Sequence, residues 1–321
     1  MKKLITIESD QCKLKLSQEL FSDLVTYDNL NDLTHHQYAH NSLLSMVNDW
    51  NLFVSFCQKK NVSPLPASIT AIRLFLEKES QQRKYATLRR YSLTIGLLHR
   101  LHRLADPTNH RQIHFTLSAL RNMKKGDASQ ASPFTSKHLS ALNERFNSSE
   151  SIKDLRDLII YHLMFECLLK RGQLRTLLIS HLDITLNDTI RLNIGDNTYE
   201  LSEQLCQLLD QWLLVLARHD GFLLCKIDKH GNIGSEALND SSIYRIFRRA
   251  SDTLNLPQHL SFSGQSTRVG ATQELYKQGY DLRQIQEFGR WFSPVMPAQY
   301  LGKHQFSESE QLVFKKIKNW D

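Results

Sequence analysis

From His40 to Lys60 the apolar residues Leu43, Leu44, Val47, Trp50, Phe53, Val54 and Cys57 return every three or four positions, the repeat of a helix with one buried face. Asn61-Val-Ser-Pro-Leu-Pro66 stops that repeat. Ser68 then stands as an N-cap before Ile69, Ile72, Leu74, Phe75 and Leu76. The same spacing predicts helices over 86–104 and 112–124, so four or five short-linked helices make a bundle over residues 18–126. Gly126-Asp-Ala-Ser-Gln-Ala-Ser-Pro133 is small, polar and rich in turn formers, which predicts a linker over 127–135. A second domain, 136–321, is predicted to carry helices over 136–146, 152–169, 202–219, 240–254, 266–279 and 281–288. Its periodicity changes once. Ile190-Arg-Leu-Asn-Ile194 alternates, Gly195-Asp-Asn197 reads as a turn, and Thr198-Tyr-Glu-Leu201 follows, which predicts a β-hairpin or a small three-stranded sheet. After Gln305, Leu312, Val313, Phe314, Ile317 and Trp320 fall at helical spacing behind Ser307 as cap. The expected fold class is mainly α with a small β-sheet.

Composition narrows this picture only slightly. At 321 residues the chain is long enough for two cores, and 41% hydrophobic with 23% charged residues is the balance of a folded globular protein. The N-terminus opens like a signal peptide but meets Glu8 and Asp10 before an apolar core develops. No run is long enough to span a membrane. Five scattered cysteines without a Cys-x-x-Cys pair read as reduced thiols, and with the missing signal they point to the cytoplasm. His99/His102 and His110/His114 have spacings a metal could use, but no cysteine or carboxylate accompanies them, so no metal site is expected.

Charge is more telling in its distribution than in its sum of +7. Between Ser80 and Gly126 stand Arg83, Lys84, Arg89, Arg90, Arg100, Arg103, Arg111, Arg121, Lys124 and Lys125, against Asp106 as the one acid. Solvated helix faces usually mix both signs. The polar side of the 86–104 helix offers Arg89, Arg90, Arg100 and Arg103 interleaved with Tyr85, Thr87, Tyr91, Ser92 and Thr94, donors suited to phosphate oxygens. Arg83, Lys84, Arg89, Arg90, Arg100, Arg103, Arg121 and Lys124 are therefore the candidate contacts to double-stranded DNA.

The last quarter of the chain carries the chemistry. Ser263-Gly-Gln-Ser-Thr-Arg-Val-Gly-Ala271 is followed by Gly289-Arg-Trp291 and by Tyr300, with Trp291 23 residues after Arg268 and Tyr300 9 after Trp291. These motifs resemble those of the tyrosine recombinases, the phage integrase family, in which the pattern reads Ser-Gly-His-Ser-x-Arg-Val-Gly-Ala, then Gly-Gly-Trp, then a nucleophilic tyrosine. The similarity runs from about His40 to the C-terminus and is strongest over 155–178 and 263–300. It implies a helical core-binding domain, a linker and a catalytic domain that together clamp duplex DNA. It also implies strand exchange through a 3′-phosphotyrosine without cofactor, and a C-terminal helix that joins neighbours into a homotetramer or packs back on its own domain. An accessory protein is left open.

Carried over position by position, Tyr300 matches the nucleophile. Arg268 matches an arginine that forks across two phosphate oxygens, and Trp291 an indole that donates to the phosphate. Three positions depart. Leu168-Leu-Lys-Arg-Gly-Gln-Leu174 resembles Leu-Leu-Arg-x-x-Glu-Leu, so a second arginine falls on Lys170 and a glutamate on Gln173, while Arg171 and Arg175 stand close by. The hairpin turn that would hold a catalytic lysine has Thr198, leaving Lys226 or Lys229 to reach in from elsewhere. Gln265 replaces the histidine and cannot carry a proton near neutral pH. The leading expectation is a site-specific recombinase with Tyr300 as nucleophile, Arg268 and Lys170 as phosphate clamp, and Trp291 and Gln265 as hydrogen-bonding neighbours. The alternatives are a DNA-binding or accessory protein on the same fold that cuts poorly or not at all, and a type IB topoisomerase.

Overall fold

The computed structural model describes residues 11–127, 129–184 and 189–302. By its internal contacts the chain divides into two units, Met1–Ser129 and Gln130–Asp321, a boundary inside the segment 127–135. The predicted helix over 305–321 lies outside the described residues.

The first unit is helical: α1 (Gln11–Phe21), α2 (Tyr27–Leu33), α3 (His40–Lys59), α4 (Ile69–Ser80), α5 (Tyr85–Leu101) and α6 (Arg111–Met123). The apolar repeat of α3 turns Leu43, Trp50, Phe53, Val54 and Cys57 into the core, where they meet Ile72, Phe75 and Leu76 of α4 and Leu88, Ile95 and Leu98 of α5. Trp50 can be buried because its indole N–H donates to the Phe21 carbonyl at 3.1 Å. Truncating such a side chain to alanine costs about 3–5 kcal/mol. Ser68 Oγ accepts from the Ala71 N–H at 3.1 Å and starts α4, a cap worth about 1 kcal/mol. His99 and His102 are core residues with their ring nitrogens engaged: His99 Nδ1 lies 2.7 Å from the Ile95 carbonyl and His102 Nδ1 2.7 Å from that of Leu98. Burial holds both imidazoles below the ordinary histidine range.

The second unit contains α7 (Ser136–Phe146), α8 (Ile152–Glu166), α9 (Arg171–Arg175), α10 (Glu203–Leu216), α11 (Asp240–Thr253), α12 (Ser266–Lys277), α13 (Leu282–Phe288) and α14 (Val295–Tyr300). Strands β1 (Leu182–Ile184), β2 (Ile190–Ile194) and β3 (Asn197–Glu200) form an antiparallel sheet in that order, with Ile194 opposite Asn197 across the turn. A second hairpin, β4 (Cys225–Ile227) with β5 (Ile233–Ala237), was not expected from the sequence, because a three-residue strand leaves almost no alternation to read. Helix α8 is the spine of this core: Leu158, Ile159, Tyr161, Leu163 and Met164 are buried among residues of α7, α10 and α11.

Two features of this unit position the site. Helix α8 ends at Glu166 rather than continuing to 169, because Leu168 adopts a left-handed conformation (φ 48°) and turns the chain into α9. Helix α12 is met side-on by the extended segment at Phe134, whose N–H donates to the Ser266 carbonyl at 2.9 Å. A Cβ on Gly270 would lie 1.7 Å from the Phe134 carbonyl oxygen, so only glycine permits this approach.

Candidate active site

The turn after α8 leaves carbonyls with no helical partner, and two arginines take them up. Arg268, in the first turn of α12, donates through Nη1 to the Leu168 carbonyl and through Nη2 to that of Gly289 at 3.0 Å. Arg290 donates through Nη2 to the Cys167 carbonyl at 2.9 Å and through Nη1 to the Tyr199 hydroxyl. Tyr199 in turn donates to the Phe288 carbonyl at 2.6 Å, which pins β3 to the end of α13. These partners satisfy N–H groups but cancel no charge. Arg268 is only 2% exposed, and burial lowers its guanidinium to about 10, with the Tyr300 phenol pulling the other way. It is protonated at neutral pH, a buried cation whose described partners are neutral, and such a charge strongly favours an incoming anion.

Trp291 covers this guanidinium, with the Arg268 Cζ 3.9 Å from the ring centre. The other side of the indole meets Tyr300 edge-on, centroids 6.0 Å apart at 70°. Tyr300 closes α14 and is 5% exposed. Its backbone carbonyl is fixed by Gln273 Nε2 at 3.0 Å and Gln130 Nε2 at 3.2 Å, while its buried hydroxyl makes no hydrogen bond among the described residues. An orphaned buried hydroxyl costs about 1–3 kcal/mol, and such costs gather where a ligand supplies the missing partner. Burial raises the phenol above its ordinary value, and Arg268 partly offsets that rise. The structure therefore brings Arg268, Trp291 and Tyr300 into one contact chain.

Lys170 and Arg171 stand next to that chain. Lys170 is exposed, and partial burial of its ammonium together with the positive charges of Arg268 and Arg290 holds it below the ordinary lysine value. Its backbone N–H donates to Gln173 Oε1 at 3.1 Å, so Gln173 caps α9. The Arg171 stem lies across Gly264, where a Cβ would come within 2.6 Å of Cδ and 2.7 Å of Cγ. Gln265, one residue on, is exposed and keeps its side-chain amide free among the described residues. Arg175 is committed elsewhere, to the Leu238 carbonyl at 2.8 Å and Asp240 at 3.1 Å. Thr198 donates to Asn193 Oδ1 at 2.7 Å within the first hairpin, and Lys226 pairs with Glu236 at 2.6 Å on the second.

Sequence reasoning assigned nothing to Arg290, although the signal was present: a large basic residue, in a left-handed conformation (φ 53°), where the resembling motif has glycine. Its stacking on Tyr199, 4.8 Å to the ring centre, and its two carbonyl partners hold that conformation.

The candidate contacts of the first unit are spread along α5 and α6 and differ in how they are held. Arg89 is exposed, with no ion pair or hydrogen bond among the described residues. Arg90 makes a two-pronged pair with Asp49 of α3, both contacts 2.8 Å, and Arg100 pairs with Asp106. Arg83 stands 3.7 Å from Glu79, and Lys84 donates to Ser129 at 2.9 Å. Arg103, past the end of α5, and Arg121 are exposed, and Lys124 is half-buried after α6. Tyr91, Ser92 and Thr94 point into the core rather than out with the arginines.

This chain belongs to the phage integrase family, whose domain matches residues 132–305, more than half of its length. It is 22% identical over 293 residues to the recombinase cre of Escherichia phage P1, covering 83% of this chain and 84% of that protein. It is 24% identical over 280 residues to an integrase/recombinase xerD homolog of Selenomonas ruminantium, with 82% of each covered. Its fold matches that of the XerH site-specific recombinase bound to difH substrate (TM-score 0.60, 14% identity, 96% of this chain and 90% of that one). It also matches the Tn1549 transposon integrase in complex with transposon right end DNA (TM-score 0.61, 12% identity, 92% and 99%). The fold is that of a tyrosine recombinase.

Proposed function

We propose that this protein is a site-specific recombinase that cuts and rejoins duplex DNA through Tyr300. The observation that carries this reading is the buried Tyr300 hydroxyl, without a hydrogen-bond partner among the described residues, set against Trp291 and the charge of Arg268 that no described group cancels. A DNA phosphate entering here gives the phenol an electrophile and the guanidinium its anion. The phenol oxygen attacks phosphorus and gives up its proton to solvent water. A 3′-phosphotyrosine bond forms as the bond to the 5′ oxygen breaks, and that oxygen leaves with a proton as a hydroxyl. The reverse step, with a different 5′ hydroxyl, rejoins the strands, so no energy cofactor is needed. Arg268 and Lys170 stabilise charge on the non-bridging oxygens, Trp291 Nε1 and Gln265 donate hydrogen bonds, and the exposed arginines of α5 and α6 bind the flanking backbone. Assembly into a tetramer through the segment beyond residue 302 belongs to the same reading.

Thr198 and Gln265 favour a second reading, a recombinase fold that binds DNA but cuts poorly, since neither can move a proton near neutral pH. Nicked duplexes drawn from the DNA flanking the gene and from a randomised pool separate the two. The recombinase reading expects a denaturant-stable complex with wild type and none with Tyr300→Phe. Specific retention on a native gel with no covalent species would favour the second.

A further inference from the structure

The proposed reaction needs a proton for the departing 5′ oxygen, and the groups gathered on the α8–α9 turn and the start of α12 differ in whether they can give one. A solvated guanidinium holds its proton in the neutral range, and the N–H groups of Arg268 and Arg290 are already given to the Leu168, Gly289 and Cys167 carbonyls and the Tyr199 hydroxyl, which removes the arginines. The Gln265 amide and the Trp291 indole are donors of hydrogen bonds only. The one ammonium is that of Lys170, which is exposed and makes no hydrogen bond or ion pair among the described residues. A lysine at this position gives up the planar two-pronged grip of an arginine. The next residue offers that grip: the Arg171 stem is pressed onto Gly264, so its guanidinium is carried beside Gln265 at the start of α12, and it too has no polar partner among the described residues. Consecutive residues thus stand at the site's edge, Lys170 two positions after the Leu168 carbonyl that Arg268 and Arg290 both meet, and Arg171 with its stem on Gly264.

We propose that Lys170 and Arg171 divide the work, Arg171 gripping a non-bridging oxygen of the scissile phosphate and Lys170 giving its ammonium proton to the leaving 5′ oxygen. In the rejoining step Lys170, now neutral, takes the proton back from the attacking 5′ hydroxyl, so the proton on the 5′ oxygen is conserved, while the phenol proton passes to solvent on cleavage and returns from solvent on rejoining. Partial burial, with the neighbouring cations Arg268 and Arg290, holds the ammonium below the ordinary lysine value, which suits it to this role. This inference rests on the recombinase reading and moves Lys170 from the phosphate clamp to the leaving oxygen, with Arg171 beside Arg268 in the clamp.

The test uses single-turnover formation of the Tyr300 adduct by the full chain at saturating protein. Its substrates are nicked duplexes captured by wild type from a randomised pool, made with either an ordinary or a sulfur-bridged 5′ linkage at the cut. A 5′ thiolate leaves without protonation, so the sulfur duplex removes the need for an acid. Lys170→Arg keeps the charge and should slow the ordinary duplex by about 10²–10⁴-fold while returning to near the wild-type rate on the sulfur duplex. Arg171→Ala should be slower by about 10²–10³-fold on both, because grip on the phosphate matters for either leaving group. A Lys170→Arg defect of equal size on both duplexes, or an Arg171→Ala rate equal to wild type, overturns the division of roles while leaving the recombinase reading in place. Absence of any wild-type adduct from the pool overturns both.

Discussion

Arg90 and Arg268 are both arginines docked two-pronged against their own domain, and they do opposite things. Arg90 grips Asp49, a carboxylate only 2% exposed, so the pair is neutral and ties α5 to α3. Arg268 grips the carbonyls of Leu168 and Gly289, which use its N–H groups and leave its charge whole. The first arrangement stabilises a fold, and the second holds a cation ready for an anion. Arg100 with Asp106 follows the first pattern, and Arg290 on the Cys167 and Leu168 carbonyls follows the second. What separates the two is the chemistry of the partner, a distinction that a count of basic residues along the chain does not register.

The largest effect expected from breaking this comparison is at the reacting atom. Tyr300→Phe should abolish the covalent adduct on a denaturing gel, and because the lost hydroxyl has no partner among the described residues, urea unfolding should show a stability held or slightly raised. Trp291→Ala comes next. Removing the ring that covers Arg268 and backs Tyr300 should slow single-turnover adduct formation by about 10²-fold or more, with duplex binding less affected. The pH profile of the same rate sharpens the account. It should climb above neutral pH as the raised Tyr300 phenol becomes able to lose its proton, then turn over as Lys170 loses its own. Lys170→Arg should leave only the turnover set by Arg268, whose guanidinium is lowered by burial to about 10. The smallest effect belongs to an exposed cation of the first unit with no ion pair or hydrogen bond among the described residues: Arg89→Ala should leave unfolding within about 0.5 kcal/mol of wild type. On a random duplex it should reduce the slope of log affinity against log salt by roughly 0.9, the signature of one lost phosphate contact.

Much of this was legible in the sequence. The apolar repeats of α3 and α8 and the Gly195 turn show in the chain because burial and turn chemistry act on near neighbours. The resemblance of the 263–300 motifs to those of the family singles out Arg268, Trp291 and Tyr300. The pairing of Arg90 with Asp49, 41 positions away, was not legible. Nor was the early end of α8, set by a left-handed Leu168 whose carbonyl meets guanidiniums from residues 268 and 290. Both depend on partners brought in by tertiary packing. Arg290 lies between the two cases, since its departure from glycine can be read but its carbonyl partners cannot.

Urea unfolding of Arg90→Met and Arg268→Met, side by side, tests the contrast without any knowledge of the DNA site. The Arg90 side chain is 51% exposed, so its pair is partly screened, yet its loss strands a buried carboxylate and should cost about 1–3 kcal/mol. Arg268→Met strands the Gly289 carbonyl but also removes a buried charge that no described group cancels, so the two effects offset and stability should change by less than about 1 kcal/mol. Equal losses in the two variants would contradict the account, because Arg268 would then be a structural tie like Arg90 and not a cation held in readiness for a phosphate.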